Sequence, residues 1–266
     1  MQPGSRFVWL APPAMSEAEF GRVRAQLERL LSVPQANEVY RAKRRSIFVA
    51  QDVSLGRVAI KEMRHKGAVR RLWFRYARHR HATREFRVGS AFEALGGLTP
   101  SFFGAALDTR VFGLERVLLF IRWLDGVETL TEYLARPDMP LADVFERLAD
   151  ALIASARLGL VHGRHSSDNI LVDSSGDLPV FYTIDFAFSR LGDGFDANGF
   201  VRDVTRIAHW LWHEQVLDAP QMEALFECVA RRAWDSVSEQ STRVSQMGKE
   251  LHRWQVVFKK GLKGPR

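Results

Sequence analysis

The chain has 266 residues, 46% of them hydrophobic, enough to bury a sizeable core without a second domain. Its 38 Lys and Arg against 31 Asp and Glu give a net charge of +7 and a pI near 9.9. That balance favours an anionic partner such as a nucleotide, a phosphorylated glycolipid, a membrane surface or a nucleic acid. Cys228 is the single cysteine, which excludes an intramolecular disulfide and suits a reducing compartment. No run approaches the roughly 18 apolar residues of a membrane span. The first fifteen residues hold Val8, Trp9 and Leu10 without a sustained apolar stretch, so they do not read as a secretory signal. The expectation is a cytoplasmic protein, with peripheral contact to the inner face of the inner membrane as a variant of it.

In chain order, Ser16 and Glu19 form a capping-box pattern, and Phe20, Val23, Leu27, Leu30 and Leu31 follow at helical spacing until Pro34. This predicts a leading amphipathic helix in an extension covering residues 1–36. From Glu38 the pattern changes to strands at Val39–Tyr40, Ile47–Ala50 and Val58–Ile60, with Gly56 in the turn. Between Arg64 and Arg87 stand nine Lys or Arg and three His with Glu85 as the only acid, and Trp73, Phe74 and Tyr76 are interleaved. Such a block is either a solvated helix face or a surface for anionic head groups or a phosphorylated sugar, and RNA binding would use the same ingredients. Glu85 opens the next helix, whose inward face is set by Val88, Ala91, Phe92 and Leu95 before Gly96 and Gly97 end it. Strands at Ala105–Leu107 and Val117–Ile121 lead into Arg122–Gly126. Pro140 then precedes a long helix carrying Val144, Phe145, Leu148, Leu152 and Ala156, which Gly159 terminates.

The stretch from Leu160 to Arg190 is the most informative. Val161, Ile170–Val172 and Val180–Ile184 are strand-length runs, with Asp173 to Asp177 as turn punctuation between two of them. They present His162, Asn169 and Asp185 from loop ends, where an Asn and an Asp can offer hard oxygens to a magnesium ion carrying a nucleotide's phosphates. Beyond it, Phe200, Val204, Ile207, Ala208 and Leu211 form a helix that bears Asp203. The remainder reads as two or three helices anchored by Trp234 and Trp254, ending in a basic tail from Lys259.

His162-Gly163-Arg164-His165-Ser166-Ser167-Asp168-Asn169 has the length and both ends of a kinase catalytic loop. Ile184-Asp185-Phe186-Ala187 stands where kinases carry a metal-binding Asp-Phe-Gly, and Val58-Ala59-Ile60-Lys61 matches their third-strand VAIK. The HG opening, the DNILVD continuation and the IDF run ending at Arg190 most resemble the bacterial lipopolysaccharide core kinases. These are the Kdo and heptose kinases, small relatives of protein kinases that phosphorylate inner-core sugars. The resemblance spans roughly residues 38 to 212.

It implies an α+β, two-lobed protein-kinase-like fold, with a small antiparallel-sheet N-lobe over residues 37–121 and a helical C-lobe over residues 122–266. It implies ATP and Mg2+ as cofactors, with Lys61 on the phosphates, Glu85 as its partner, Trp123 either stacked on the base or filling the hinge, and Asn169 and Asp185 as metal ligands. Asp203 would brace the catalytic loop. His162, Arg164, His165 and Asp168 are the catalytic-loop candidates. Arg164 departs from the family, which has its catalytic Asp there, and Arg cannot act as a base. His165 and Asp168 are the neighbours that could take over. Arg41 to Ser46 replaces a glycine-rich loop, so cationic side chains there would act by charge or form a solvated hairpin tip.

Two functions follow from the resemblance. One is phosphorylation of a Kdo or heptose hydroxyl in lipopolysaccharide core, or in another lipid-linked anionic sugar, with the Arg64–Arg87 stretch recruiting the substrate. The other is a pseudokinase that binds nucleotide or glycolipid and regulates or scaffolds an active relative, favoured by Arg164 and Ala187. No nucleic-acid partner is expected, because the order and spacing of VAIK, Glu85, the loop and IDF would then be coincidence.

Overall fold

Alternating apolar and polar residues between positions 6 and 122 build one antiparallel sheet in the computed structural model, which describes residues 6–32, 37–42, 45–64, 83–110, 113–137 and 139–259. Its strands are β1 (Arg6–Leu10), β2 (Asn37–Ala42), β3 (Arg45–Asp52), β4 (Gly56–Arg64), β5 (Phe102–Arg110) and β6 (Gly113–Arg122), in the order β1-β5-β6-β4-β3-β2. The sheet belongs to the first of two compact units, residues 1–125 together with 185–187; the second comprises residues 126–184 and 188–266.

Because strand side chains alternate, Val58 and Ile60 of β4 point to one face and Ala59 and Lys61 to the other. The first face is covered by helix α1 (Glu17–Ser32), whose Leu27 and Leu30 bury against Val58, Ile60, Leu118 and Phe120. Ser16 accepts from the Glu19 amide at 3.3 Å, as the capping pattern implied. Strand β1 was not expected. It pairs with β5, and its Trp9 stacks on Phe120 with ring centroids 5.6 Å apart, so the extension is strand plus helix. On the same face Arg116 joins the buried carboxylates of Asp108 (2.8 Å) and Glu62 (3.2 Å), which satisfies charges that would otherwise be costly to bury.

The other face receives helix α2 (Arg84–Ala94) through an aromatic cluster of Phe86, Phe92, Phe102 and Phe186. Phe186 is fully buried, and it belongs to the three residues, 185–187, that the chain contributes to this unit after leaving it at position 125. Gly89 makes room for these rings. A Cβ there would lie 2.3 Å from Phe102 and 2.9 Å from Phe186.

The second unit is mainly helical, with α3 (Leu130–Leu134), α4 (Leu141–Arg157), α5 (Ala197–His213), α6 (Ala219–Ala233) and α7 (Val237–Lys259). Their facing residues, among them Leu148, Leu152, Ile207, Leu211, Phe226, Val229 and Met247, form its core. Trp234 packs on Phe195 and Phe200 within it. Two small sheets complete the unit: β7 (Glu128–Thr129), β9 (Ile170–Asp173) and β10 (Val180–Thr183), then β8 (Leu160–Val161) with β11 (Arg190–Leu191). Among the described residues no helix is long and apolar enough to cross a membrane.

Gly89→Ala sets helix propensity against packing. Ala gains about 1 kcal/mol in a helix interior, but displacing two buried rings costs about 1–3 kcal/mol. Net destabilisation is expected, read as a lower urea midpoint. A raised midpoint would mean that the slot relaxes freely and does not constrain Phe186.

Candidate functional site

Lys61 lies at the middle of the first unit's chemistry. Its Nζ donates to Glu85 Oε1 at 2.6 Å and to Asp185 Oδ1 at 3.0 Å, so residues 24 and 124 positions away in sequence meet on one ammonium. Strand β4 aims Lys61 away from α1, and α2 turns Glu85 inward at 3% exposure. Burial works to lower the Lys61 pKa, but the Glu85 and Asp185 carboxylates together outweigh it, so the ammonium titrates above the usual lysine value. Asp185 has φ +62°, a left-handed conformation that is uncommon for a non-glycine residue and is tolerated best by Asp and Asn. The Lys61 contact on one side and buried Phe186 on the other hold it there.

Trp123 is half-buried. The Arg57 guanidinium lies 5.5 Å over its ring and pairs with Asp125, while the Trp123 amide donates to the Arg57 carbonyl at 3.0 Å. The indole therefore carries a cation on one face. Of the basic stretch Arg64–Arg87, residues 65–82 lie outside the described residues, as do positions 43 and 44 of the expected cationic hairpin tip and the tail from Lys260.

In the second unit, Asp203 of α5 grips the catalytic-loop candidate by its backbone. Its Oδ2 accepts from the His162 amide at 2.7 Å and its Oδ1 from the Gly163 amide at 2.9 Å. Gly163 has φ +73°, and a Cβ there would meet the Phe188 carbonyl at 2.7 Å, so only glycine fits the turn. His162 donates from Nε2 to the Ile184 carbonyl at 2.9 Å, and Ile184 donates its amide to the Asn169 carbonyl at 3.0 Å. The loop is thereby tied to the residue immediately before Asp185. Asn169 donates from Nδ2 to the Arg164 carbonyl at 3.1 Å, which orients its amide and leaves Oδ1 as a hard oxygen donor.

His165 and Asp168 have different surroundings. His165 is 3% exposed and stacks on His162 with centroids 4.3 Å apart. Burial first, then the charges of His162 and Arg206, hold its pKa well below the usual imidazole value, so it stays neutral and is a poor proton acceptor. Asp168 is exposed on a 3-10 turn, and its Oδ1 accepts from Thr131 Oγ at 3.0 Å, which in turn lies 2.7 Å from Ser167 Oγ. Arg164 is also exposed, its guanidinium 4.8 Å over the Phe188 ring. The sequence reading passed over Arg202 and Arg206, which flank Asp203 on α5. Arg206 lies 5.2 Å over Trp254. Their signal was the RDVTR spacing, two arginines four residues apart around the acid that braces the loop.

An antiparallel sheet carrying the Lys–Glu–Asp cluster, followed by a helical part with an Asp-braced loop, defines a protein-kinase-like fold. Two solved structures share it. One is WaaP in complex with acyl carrier protein, at 14% identity and a TM-score of 0.58, covering 93% of this chain and 98% of that one. The other is the Rio2 kinase–ADP/Mg2+–phosphoaspartate complex from Chaetomium thermophilum, at 17% identity and a TM-score of 0.52, covering 86% and 72%. No protein-family model and no curated protein sequence matches the chain.

Replacing Lys61 with Met removes the ammonium from a carboxylate at 3% exposure. The expected loss is about 3 kcal/mol or more, and Lys61→Met with Glu85→Gln should recover part of it. Equal stabilities of the two variants by urea titration would show that the pair is not energetically coupled.

Asp203 offers a pH test. Burial raises its carboxyl to about 6, although the His162 and Gly163 amides, Arg206 and Arg202 all pull it down. Between about pH 4 and 6 the folded chain thus holds a proton that the unfolded chain has released. This group's stability contribution is full below about pH 4 and is lost as pH rises through 6, a change of about 3 kcal/mol. Asp203→Asn cannot titrate, so wild type minus variant should decline across that window in urea midpoints taken at pH 4, 5, 6 and 7. A flat difference would mean that Asp203 ionises normally.

Proposed function

We propose that this protein is an ATP- and Mg2+-dependent kinase acting on a sugar hydroxyl of lipopolysaccharide core, a Kdo or a heptose. The single observation that carries the reading is the Lys61 ammonium held by Glu85 and Asp185, an arrangement suited to gripping nucleotide phosphates. The fold shared with WaaP supports the sugar-kinase class at the level of architecture, and the HG, DNILVD and IDF motifs supply the narrower resemblance. The fold shared with Rio2, whose complex contains ADP and Mg2+, supports the cofactors in the same way.

The residues present fit such a group. Taken separately, Asp185 and Asn169 each carry a hard oxygen of the kind magnesium takes alongside nucleotide oxygens and water. A bound magnesium ion would offset charge on the nucleotide's phosphates. Lys61 would hold those phosphates, and Glu85 would keep Lys61 extended towards them. Trp123, already flanked by Arg57, would line the base. Asp168 is the exposed carboxylate of the loop and the better candidate for taking the acceptor's proton, since His165 is buried and stays neutral. A loose transition state makes little demand on the nucleophile, so reaction survives without an Asp at position 164, slowed by about 10²–10⁴-fold relative to an enzyme with a positioned base. The stretch Arg64–Arg87 would meet the anionic substrate or the membrane that holds it.

A second reading, a pseudokinase binding module, is favoured by one observation: Arg164 is exposed in place of the catalytic Asp. Nucleotide binding and phosphate transfer to purified lipopolysaccharide core separate the two. The kinase reading expects Mg2+-dependent transfer by wild type, lost in Lys61→Ala and Asp185→Ala and reduced in Arg164→Asp. Nucleotide binding without transfer, with transfer gained in Arg164→Asp, would establish the pseudokinase. Absence of nucleotide binding would end both.

A further inference from the structure

In the second unit three arginines act on one another or on the buried acid Asp203. Among the described residues, the guanidinium groups of Arg164, Arg202 and Arg206 make no hydrogen bond or ion pair. Arg202 and Arg206 are one turn apart on α5 and so neighbour each other on its surface. Between them in sequence, Asp203 holds the amides of His162 and Gly163, and Arg164 is the next residue. The turn that Asp203 anchors thus carries one arginine directly after the held amides and two on the helix that holds it. Asp203 spends both oxygens on backbone amides. Asp196, the other acid near Arg202, caps α5 at the Gly199 amide and pairs with Arg190. Their charges still act, Asp203 on Arg202 and Arg206 and Asp196 on Arg202, but among the described residues no carboxylate pairs directly with any of the three guanidiniums.

The proximity is felt electrostatically. Burial, opposed by Asp203 and reinforced by the charges of Arg202 and Arg164, holds Arg206 below the usual arginine value. A half-buried cation repelled by two others and lacking an acceptor is unfavourable in the free protein. What fixes two of the three is aromatic. Phe188 lies under Arg164 at 4.8 Å and Trp254 under Arg206 at 5.2 Å. A ring face holds a guanidinium by its charge and plane without using its N–H donors, so the forks stay available for a planar or tetrahedral oxyanion.

We propose that Arg164, Arg202 and Arg206 form an oxyanion subsite that binds a phosphate or carboxylate already carried by the acceptor sugar. The assignment of that anion to a sugar acceptor rests on the kinase reading; the anion binding itself rests only on this unit. It gives Arg164 a role at the position where a catalytic Asp is absent. An acceptor without an intrinsic acidic group would be admitted only after an earlier reaction had placed one on it.

The test is calorimetric titration of the full-length chain with inorganic phosphate, a hexose phosphate, a hexuronate and the corresponding neutral hexose. Binding of the phosphate-bearing or the carboxylate-bearing sugar, and not the neutral one, is expected, and the stronger of the two identifies the natural group. Arg164→Gln, Arg202→Gln and Arg206→Gln should each weaken it about ten-fold or more, whereas Arg231→Gln on α6 should leave it within about two-fold. Folding is checked with Arg206→Met, whose thermal midpoint without ligand is expected to exceed that of wild type and to be insensitive to added phosphate. Unchanged affinity in Arg206→Gln, equal loss in Arg231→Gln, or a lowered Arg206→Met midpoint that still responds to phosphate would each overturn the subsite. Asp185→Ala should abolish Mg2+-nucleotide binding and leave the sugar titration unchanged. Anion binding without any phosphate transfer in wild type would therefore remove the kinase reading alone.

Discussion

One ammonium held between two carboxylates fixes most of what the first unit can be. A lysine at 12% side-chain exposure is a net cost unless anions surround it, and the anions come from a helix 24 residues later and a loop 124 residues later. Strand alternation then requires the opposite face of β4 to be apolar, and α1 covers it. The third partner sits in a left-handed backbone conformation, which persists only because the next residue is locked among aromatic rings. Charge pairing, strand register and aromatic packing are in this way one constraint seen at three scales.

The second unit solves a different problem, that of holding a polar loop rigid. Asp203 does so with two backbone amides and at the expense of its own ionisation, since burial moves its carboxyl towards neutrality. His165, kept neutral by its burial, stacks on His162 behind the turn. Rigidity on the buried side leaves Arg164 and Asp168 as the loop's exposed groups. Any chemistry that the loop performs on an acceptor has to begin with these two, a cation and an anion four positions apart before the short turn ends.

Local pattern made much of this legible. The VAIK strand, Glu85 on the inward face of its helix and the hairpin ending at Asp185 follow from residue type and spacing, and the brace at Asp203 from the kinase resemblance; in the structure Lys61 meets Glu85 and Asp185, and Asp203 accepts from the loop amides. What stayed hidden depends on tertiary neighbours. The five residues of β1 carry no strong strand signal of their own and become a strand only because the edge of β5 is open to pair with them. Gly89 reads as a helix weakness until two rings from Phe102 and Phe186 occupy the space. His165 looked available as a base because burial is invisible in a polar stretch such as GRHSSDN. Arg202 and Arg206 were passed over, since a lone sequence does not reveal which arginines pair directly with an acid.

The arginine at position 164 bears on how demanding phosphoryl transfer is of its loop. When bond formation to the nucleophile lags behind departure of the leaving group, the acceptor hydroxyl keeps most of its proton in the transition state, and a base there contributes less than positioning does. A guanidinium cannot take the proton, but it can hold an acceptor in register if that acceptor carries an anion, and holding reacting atoms at near-attack distance is the larger effect. On the proposed reading, exchanging a carboxylate for a guanidinium at this position shifts the requirement to the acceptor: a neutral one would find no charge to hold it, whereas an acidic one would be oriented by cations that Asp203 offsets only in part.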